Sequence, residues 1–64
     1  MSFAENFKNA RTRAGLTQQQ IADKLGLDRT AIAQYERGIS MPNFKNLPKI
    51  CEMLGTTLDE LAKD

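Results

Sequence analysis

Apolar residues recur along this chain at intervals of three and four positions, the spacing that places side chains on one face of an α-helix. The alternation that is typical of strands is absent, as are the Asn-Gly and Asp-Gly turns of hairpins. Five helices in 64 residues, joined by short loops, predict a compact all-α domain. The expected buried faces, helix by helix, are Phe3, Phe7, Ala10 and Ala14; Ile21, Ala22 and Leu25; Ile32 and Tyr35; Leu47, Ile50, Cys51 and Leu54; Leu58 and Leu61.

Capping residues mark where these helices begin and end. Asp28 is expected to cap the third helix by accepting hydrogen bonds from amides of its first turn. Glycine often ends a helix because it adopts the left-handed conformation there, and Gly15, Gly26, Gly38 and Gly55 stand at the expected ends. Three pairs have the spacing of a capping box, namely Ser2–Glu5, Thr17–Gln20 and Thr57–Glu60.

The segment QQQIADKLGLDRTAIAQYER meets the requirements of two helices that cross steeply through a short turn. The first helix must bring a small side chain to the crossing, and Ala22 does so. The turn needs a left-handed residue followed by an apolar residue that enters the core, and Gly26 and Leu27 fit. The second helix must offer two inward anchors three positions apart, which are Ile32 and Tyr35. The spacing predicts a helix-turn-helix motif.

This motif, together with the later stretches MPNFKNL and LGTTLDEL, resembles the repressor and Cro-like family of prokaryotic and phage helix-turn-helix proteins, often called XRE. The resemblance covers nearly the whole chain, from LTQQQIADKLGLDRTAIAQYERG to the last helix. It implies that the third helix lies in the major groove of double-stranded DNA and that the second crosses above it. It also implies a homodimer on a pseudo-palindromic operator.

The outward residues of the third helix are the candidates for reading bases, and they are Arg29, Thr30, Ala33 and Gln34. Arg29 suits the O6 and N7 atoms of guanine, and Gln34 suits the N6 and N7 atoms of adenine. The short side chains of Thr30 and Ala33 suit a thymine methyl group. The resemblance places the base-reading residues of the family at the same four positions.

Contacts to DNA phosphates are expected beside this helix. Thr17 and Gln18 begin the second helix, where backbone amides and the positive end of the helix dipole suit a phosphate. The resemblance adds donors around the start of the fourth helix and near the third. The residues nominated in this way are Arg37, Asn43, Lys45 and Arg13.

The resemblance also implies two structural roles. Arg11 of the first helix is expected to pair with Glu36 at the end of the third, which would hold the reading helix in place. If the pair is buried, loss of one partner should cost roughly 3 kcal/mol. A dimer seam is expected where the fourth helix ends, and its residues would be Met53, Thr56, Thr57 and Leu58.

Charge and composition narrow the classes of function. The net charge is only +1, but residues 1–51 hold eight basic and four acidic residues, whereas residues 52–64 hold one and four. A basic segment of 51 residues followed by an acidic one is consistent with an anionic partner. The chain has no histidine and a single cysteine, so it lacks the commonest general base and the ligands of a zinc site. We therefore expect no enzymatic activity, no metal and no cofactor.

Length and cysteine use bear on organisation and location. The chain is short enough for one core, so residues 1–64 are expected to be a single helix-turn-helix domain. A lone thiol, no secretory segment and no apolar run of membrane-spanning length fit a reducing cytosol. A DNA-binding protein in that compartment would be associated with the nucleoid.

These observations together predict a sequence-specific transcriptional regulator that binds double-stranded DNA as a homodimer, a repressor in preference to an activator. Two alternatives remain open. In the first, the chain is the DNA-binding half of a longer regulator whose other part senses a ligand or dimerises. In the second, it is a protein-interaction module of the antitoxin or anti-repressor type, since a fold does not settle a function.

Overall fold

The computed structural model describes residues 2–64, and its helices follow the predicted order. Their bounds are α1 Phe3–Ala14, α2 Gln18–Leu25, α3 Arg29–Glu36, a 3-10 helix Phe44–Asn46, α4 Leu47–Leu54 and α5 Leu58–Ala62. No strand occurs within the described residues, so the prediction of an all-α, five-helix domain is confirmed. Within residues 2–64, no helix is long and apolar enough to cross a membrane.

The first two capping boxes are confirmed, and they explain where α1 and α2 begin. The Glu5 carboxylate accepts a hydrogen bond from the Ser2 amide at 3.1 Å, and the Ser2 hydroxyl accepts one from the Glu5 amide at 3.2 Å. The bonds with Ser2 hold the pKa of Glu5 below its ordinary value, because they favour the charged form. Thr17 and Gln20 make the same pair of bonds, at 2.8 and 3.1 Å.

Two other predicted caps form differently. The Thr57 hydroxyl accepts from the Glu60 amide at 3.1 Å, but Glu60 does not return the bond. Its carboxylate pairs instead with Lys63 at 2.9 Å, and this interaction lowers the pKa of Glu60. Asp28 stands at the N-cap of α3, yet its carboxylate accepts none of the first-turn amides of residues 29–31. That turn begins with exposed residues, so water can satisfy its amides.

The helix α3 lies against both α1 and α2. Its Ile32 is fully buried, and the ring of Tyr35 meets the ring of Phe7 edge-on, with centroids 5.9 Å apart. Aromatic pairs favour this arrangement. The remaining large side chains that are fully buried are Ile21, Ile50 and Leu61. Together these contacts fix which face of α3 points inward.

The apolar pattern identifies most of the core, with two exceptions. Ala14 is exposed, because the chain reverses at Gly15 and Leu16 is the residue that packs against the core. Leu58 is 45 % exposed, because α5 turns Leu61 inward and leaves its first residue outside. The predicted residues at the edge of the core are half-buried, and these are Phe3, Leu25, Leu47 and Cys51.

A buried polar side chain, Asn6, joins α1 to the end of α5. Its Nδ2 atom donates to the carbonyl of Leu61 at 2.9 Å and to the carbonyl of Lys63 at 2.7 Å. A buried amide is costly unless it is hydrogen-bonded, and these bonds satisfy the Asn6 amide. They also provide donors for two carbonyls at the C-terminal end of α5. A helix of five residues is too short to be stable alone, and this contact holds it to the domain.

Candidate DNA interface

The turn between α2 and α3 has the geometry that the predicted motif requires. Gly26 adopts the left-handed conformation with φ 70°, and the Leu27 amide donates to the Ala22 carbonyl at 2.9 Å. Ala22 is fully buried, while Leu27 is half-buried against the core. A small residue at position 22 lets the two helices approach closely, and Leu27 fixes the turn to the core.

The four predicted base-reading residues all lie outside the buried side of α3. Arg29 and Thr30 are exposed, and Ala33 and Gln34 are half-buried beside them. The major groove of DNA is about 12 Å wide and admits one helix. A helix that keeps its other side in the core can turn these four side chains toward base edges.

A network of hydrogen bonds connects α1 to the start of α3. Arg11 donates through Nε to Glu36 Oε2 at 2.5 Å and through Nη2 to Oε1 at 3.2 Å. The same Oε1 atom accepts from Gln18 Nε2 at 3.0 Å, and Gln18 Oε1 accepts from Arg29 Nη1 at 3.3 Å. The pairing of Arg11 with Glu36 that the family resemblance implies is therefore present. The pair also reaches Arg29 through Gln18, a link that the sequence pattern does not predict.

This hydrogen-bond network is buried at one end, at Glu36, and exposed at the other, at Arg29. The Glu36 side chain is 4 % exposed and the Arg11 side chain 16 %, and Arg11 Nη1 also donates to the Leu16 carbonyl at 2.9 Å. Glu36 accepts from the amide nitrogen of Gln18, so the amide oxygen of Gln18 faces Arg29. The buried ion pair thus orients Gln18, and Gln18 orients the exposed Arg29.

The start of α2 offers fewer free amides than the sequence suggests. The Thr17 amide donates to the Gln20 side chain at 2.8 Å, so the prediction that it is free to bind a phosphate is wrong. The physical reason is the capping box, which satisfies the N-cap amide within the chain. The amides of Gln18 and Gln19 lie outside this box and remain the donors of the helix end.

The other nominated phosphate ligands occupy two different places. Arg37 at the end of α3, and Asn43 and Lys45 around the 3-10 helix, are exposed. Arg13 lies two positions after Arg11 and therefore on the opposite side of α1. It lines a small pocket between α1 and α5, so the structure does not bring it to the α2–α3 surface.

The residues of the predicted dimer seam are divided among three depressions of the surface. Met53 lines a pocket beside α2, and Thr56 lines the pocket beside α1. Leu58 lines an apolar groove together with Phe44, and Thr57 caps α5. These residues are neighbours in sequence, but they line different depressions.

The chemistry of the α2–α3 surface is that of hydrogen-bond donation. Within residues 2–64, no three side chains of His, Cys, Asp or Glu are grouped so that they could hold a metal ion. Exposed guanidinium groups stand at both ends of α3, on Arg29 and Arg37, and Lys45 adds an ammonium group. Such donors match base edges and phosphate oxygens.

The fold and this surface define the helix-turn-helix class of DNA-binding domains. The profile of a family described as Helix-turn-helix matches residues 7–61, which is most of the chain. The chain belongs to this family, and its resemblance to repressor and Cro-like regulators is confirmed.

Several bacterial and phage regulators are similar to this chain. It is 46% identical over 61 residues to the uncharacterized HTH-type transcriptional regulator YqaE of Bacillus subtilis (strain 168), covering 95% of this chain and 53% of YqaE. It is 41% identical over 61 residues to the HTH-type transcriptional activator BcrR of Enterococcus faecalis, covering 95% and 30%. It is 38% identical over 62 residues to the cryptic phage CTXphi transcriptional repressor RstR of Vibrio cholerae, covering 97% and 55%. The chain therefore spans 30% to 55% of the length of these relatives.

Proposed function

We propose that this chain is the domain through which a transcriptional regulator binds a specific site in double-stranded DNA. In this proposal α3 enters the major groove, and α2 lies across it against the phosphate backbone. The observation that supports it best is the hydrogen-bond chain that ends on the exposed Arg29. A side chain that is already held in place loses little conformational entropy when it meets a base.

Each outward residue of α3 has a role in reading bases. Arg29 donates two hydrogen bonds to the O6 and N7 atoms of guanine, and its bond to Gln18 occupies only one Nη1 hydrogen. Gln34 pairs with the N6 and N7 atoms of adenine, and Thr30 and Ala33 contact thymine methyl groups. Sequence preference thus comes from four residues within six positions.

Affinity comes mainly from phosphate contacts. The amides of Gln18 and Gln19 bind a phosphate on one side of the groove. On the other side, Arg37, Asn43 and Lys45 supply donors from the end of α3 and the 3-10 helix. Residues 1–51 carry a net charge of +4, so binding releases counterions and weakens as salt rises.

Two copies act together on one operator. An α3 of eight residues reaches few base pairs, so one copy alone discriminates weakly. A two-fold homodimer presents two α3 helices about 34 Å apart, which matches half-sites one helical turn apart. The similar proteins include a named repressor and a named activator. We assign repression, since occupancy of a promoter requires nothing beyond DNA binding, and we place the protein on the nucleoid.

The base-reading surface is tested by selecting bound duplexes from a random pool and comparing two arginine variants. Arg29→Ala should cost about 1–3 kcal/mol at the selected site and relax the base preference there. Arg37→Ala is the matched control, because a lost phosphate contact should weaken binding to all sequences and reduce the salt slope by about 1. Gln34→Ala should relax preference at a second base. Selected sequences that are identical in all variants would overturn the assignment.

A salt titration separates DNA binding from the alternative of a protein-interaction module. Binding to random duplex DNA is measured between about 50 and 200 mM salt, where a protein with several phosphate contacts loses orders of magnitude in affinity. We expect a steep loss for this chain. Absent or salt-insensitive binding would refute the proposal and favour a protein partner.

A further inference from the structure

Large apolar side chains are exposed in the stretch of chain that follows α3. Ile39 is 58 % exposed and Met41 is 61 % exposed. Both belong to the segment between α3 and the 3-10 helix, residues 37–43, which we call the α3–α4 turn. The other two large exposed apolar residues within residues 2–64, Phe44 and Leu58, line a groove of their own. Apolar side chains concentrated in one short turn indicate a contact surface.

The backbone of the α3–α4 turn is fixed on both sides of Met41. Before it, the Ile39 amide donates to the Gln34 carbonyl at 3.0 Å, and the Ser40 amide reaches the same oxygen at 3.5 Å. After it, Pro42 is buried. A residue that precedes proline is restricted to extended conformations. Met41 therefore projects an exposed apolar side chain from a backbone with little freedom.

The same bonds place the turn at the C-terminal end of α3. Gln34 is one of the four residues proposed to read bases, and the Ser40 amide lies 3.5 Å from its carbonyl. The Cα atom of Met41 is then at most about 8 Å from that oxygen. In a helix that reads the major groove, the N-terminal residues reach the base edges. The C-terminal end of α3 therefore lies at the wall of the groove, which is the sugar–phosphate backbone of one strand.

Hydrogen-bond donors alternate with apolar side chains along this part of the protein. Arg37, Asn43 and Lys45 are exposed, and each is a proposed phosphate donor. Ile39 and Met41 lie between the first two. A DNA strand has the same alternation, because its anionic phosphates are joined by deoxyribose rings whose carbon atoms are apolar. This match of charge and polarity favours DNA as the partner of the turn.

We propose that Ile39 and Met41 pack against the deoxyribose rings of the strand that borders the major groove, with Met41 at the edge of the minor groove beyond it. The inference rests on the proposed function, because it requires α3 in the major groove. Proteins that contact the minor groove use apolar side chains of this kind, Met and Ile among them. The α3–α4 turn thus adds affinity that does not depend on the release of counterions.

This contact also gives the protein a way to distinguish sequences that flank the bases read by α3. The width of the minor groove varies with sequence, and it is narrow in A-tracts. An apolar side chain at its edge packs well against one width and poorly against another. Met41 therefore contributes a preference without making a hydrogen bond to any base.

The first experiment measures the affinity of the 64-residue chain for a duplex with one half-site, between about 50 and 200 mM salt. A single half-site is used so that pairing of two copies does not contribute. Met41→Gln removes the apolar contact without changing the charge and should lower the affinity about tenfold at every salt concentration. The slope of log affinity against log salt should stay the same. Met41→Leu should keep the affinity of the wild type.

Two variants with the same replacement residue serve as matched controls. Lys45→Gln removes a proposed phosphate contact and should reduce the salt slope by about 1. Leu58→Gln removes an exposed apolar side chain from α5 and should change neither affinity nor slope on the half-site. A Met41→Gln variant that binds as the wild type does, or that changes the slope as Lys45→Gln does, would overturn the inference.

A second experiment tests the placement of Met41 at the minor groove. Replacing adenine with 2,6-diaminopurine adds an amino group to the minor groove and leaves the major-groove edge unchanged. The replacement is made one position at a time in the base pairs that adjoin the half-site. At the base pair that Met41 meets, the wild type should lose affinity about fivefold, the lower end of the cost of a wrong base pair. Met41→Gln should not respond there, and equal losses for both proteins at every position would contradict the inference.

Two further outcomes separate this inference from the proposed function. If Met41→Gln weakens self-association in sedimentation equilibrium and keeps its affinity for the half-site, the turn contacts a second copy and the inference fails alone. If Arg29→Ala and Gln34→Ala leave the selected sequence unchanged while Met41→Gln lowers affinity at every salt concentration, the proposed reading of bases fails. The contact of the α3–α4 turn with DNA then stands.

Discussion

Two surfaces of this molecule differ in how their exposed residues are held. On the α2–α3 surface, the exposed Arg29 is bonded to Gln18, which is bonded to the buried Glu36. In the apolar groove lined by Phe44, Leu47, Pro48, Cys51 and Leu58, which we call the α4–α5 groove, Phe44 projects into solvent with 83 % of its surface exposed. The fold of a single chain orients the exposed donor of the first surface. The second presents apolar side chains that no hydrogen bond orients.

This difference follows from the chemistry of the side chains on each surface. Hydrogen-bond donors act at fixed distances and angles, so the bonds around Arg29 hold it in one orientation. The burial of apolar side chains such as Phe44 is favourable without fixing a direction. Substitutions of Arg11, Asn6, Gln18 and Phe44 should each disturb one of these surfaces more than the other, with effects that decrease in that order.

Removing Arg11, at the buried end of the hydrogen-bond network, should have the largest effect on stability. Arg11→Ala leaves the Glu36 carboxylate buried without its charged partner, and we expect it to lower the free energy of unfolding by about 3 kcal/mol. Arg13→Ala, on the exposed side of the same helix, should change it little. Urea denaturation measures both. Equal stability of the two variants would show that the ion pair does not hold α3.

The next largest effect on stability is expected at α5, which forms one side of the α4–α5 groove. Asn6→Ala removes two hydrogen bonds to the end of α5 and should lower the free energy of unfolding by about 2 kcal/mol. Amide exchange should quicken in α5, which carries the groove residue Leu58, and change little in α3. Asn9→Ala is the control on the exposed side of α1. Uniformly faster exchange in every helix would contradict a local role for Asn6.

A smaller effect is expected from the link between the network and the reading residue. Gln18→Ala frees the guanidinium of Arg29 and should cost about 1 kcal/mol in binding to the selected duplex. Preference for the base that Arg29 reads should fall with it, while the association of two copies stays unchanged. Gln19→Ala, whose side chain bonds to Asp23, is the matched control. If the two variants keep the same base preference, Gln18 does not position Arg29.

The smallest effect concerns the reactivity of Cys51. Because burial raises its pKa, a smaller fraction of the thiol is ionised at a given pH than in an open chain. Alkylation by iodoacetamide should therefore be slower than that of a free cysteine and should keep rising above pH of about 8.5. Phe44→Ala opens the groove and should speed the reaction, whereas Ile39→Ala should not. A pH profile like that of free cysteine would contradict the burial.

Local features of this protein could be predicted from sequence because their causes are local. The bonds between Thr17 and Gln20 join residues three positions apart, and Gly26 adopts its conformation for lack of a side chain. The same holds for the inward positions Ile32 and Tyr35, which helical spacing places together. Asp28 shows the limit, since its capping bond depended on a side-chain orientation that the pattern does not specify.

The missed features depend on residues that are distant in sequence. Gln18 meets Glu36 across 18 positions, and Asn6 meets Leu61 across 55. No spacing rule relates such pairs, because their distance is set by how whole helices pack. The Arg11–Glu36 pair is separated by 25 positions and could be expected only through the family resemblance.

The linear pattern therefore determined the five helices, the helix-turn-helix crossing and the outward residues of α3, because periodicity and capping act within a few residues. The bonds through which Gln18 joins Glu36 to Arg29 depend on how the helices pack. The packing of the helices also brings Phe44 and Leu58 to one groove. Hydrogen bonds and apolar surfaces between distant segments exist only after the helices have packed, and both surfaces are made of them.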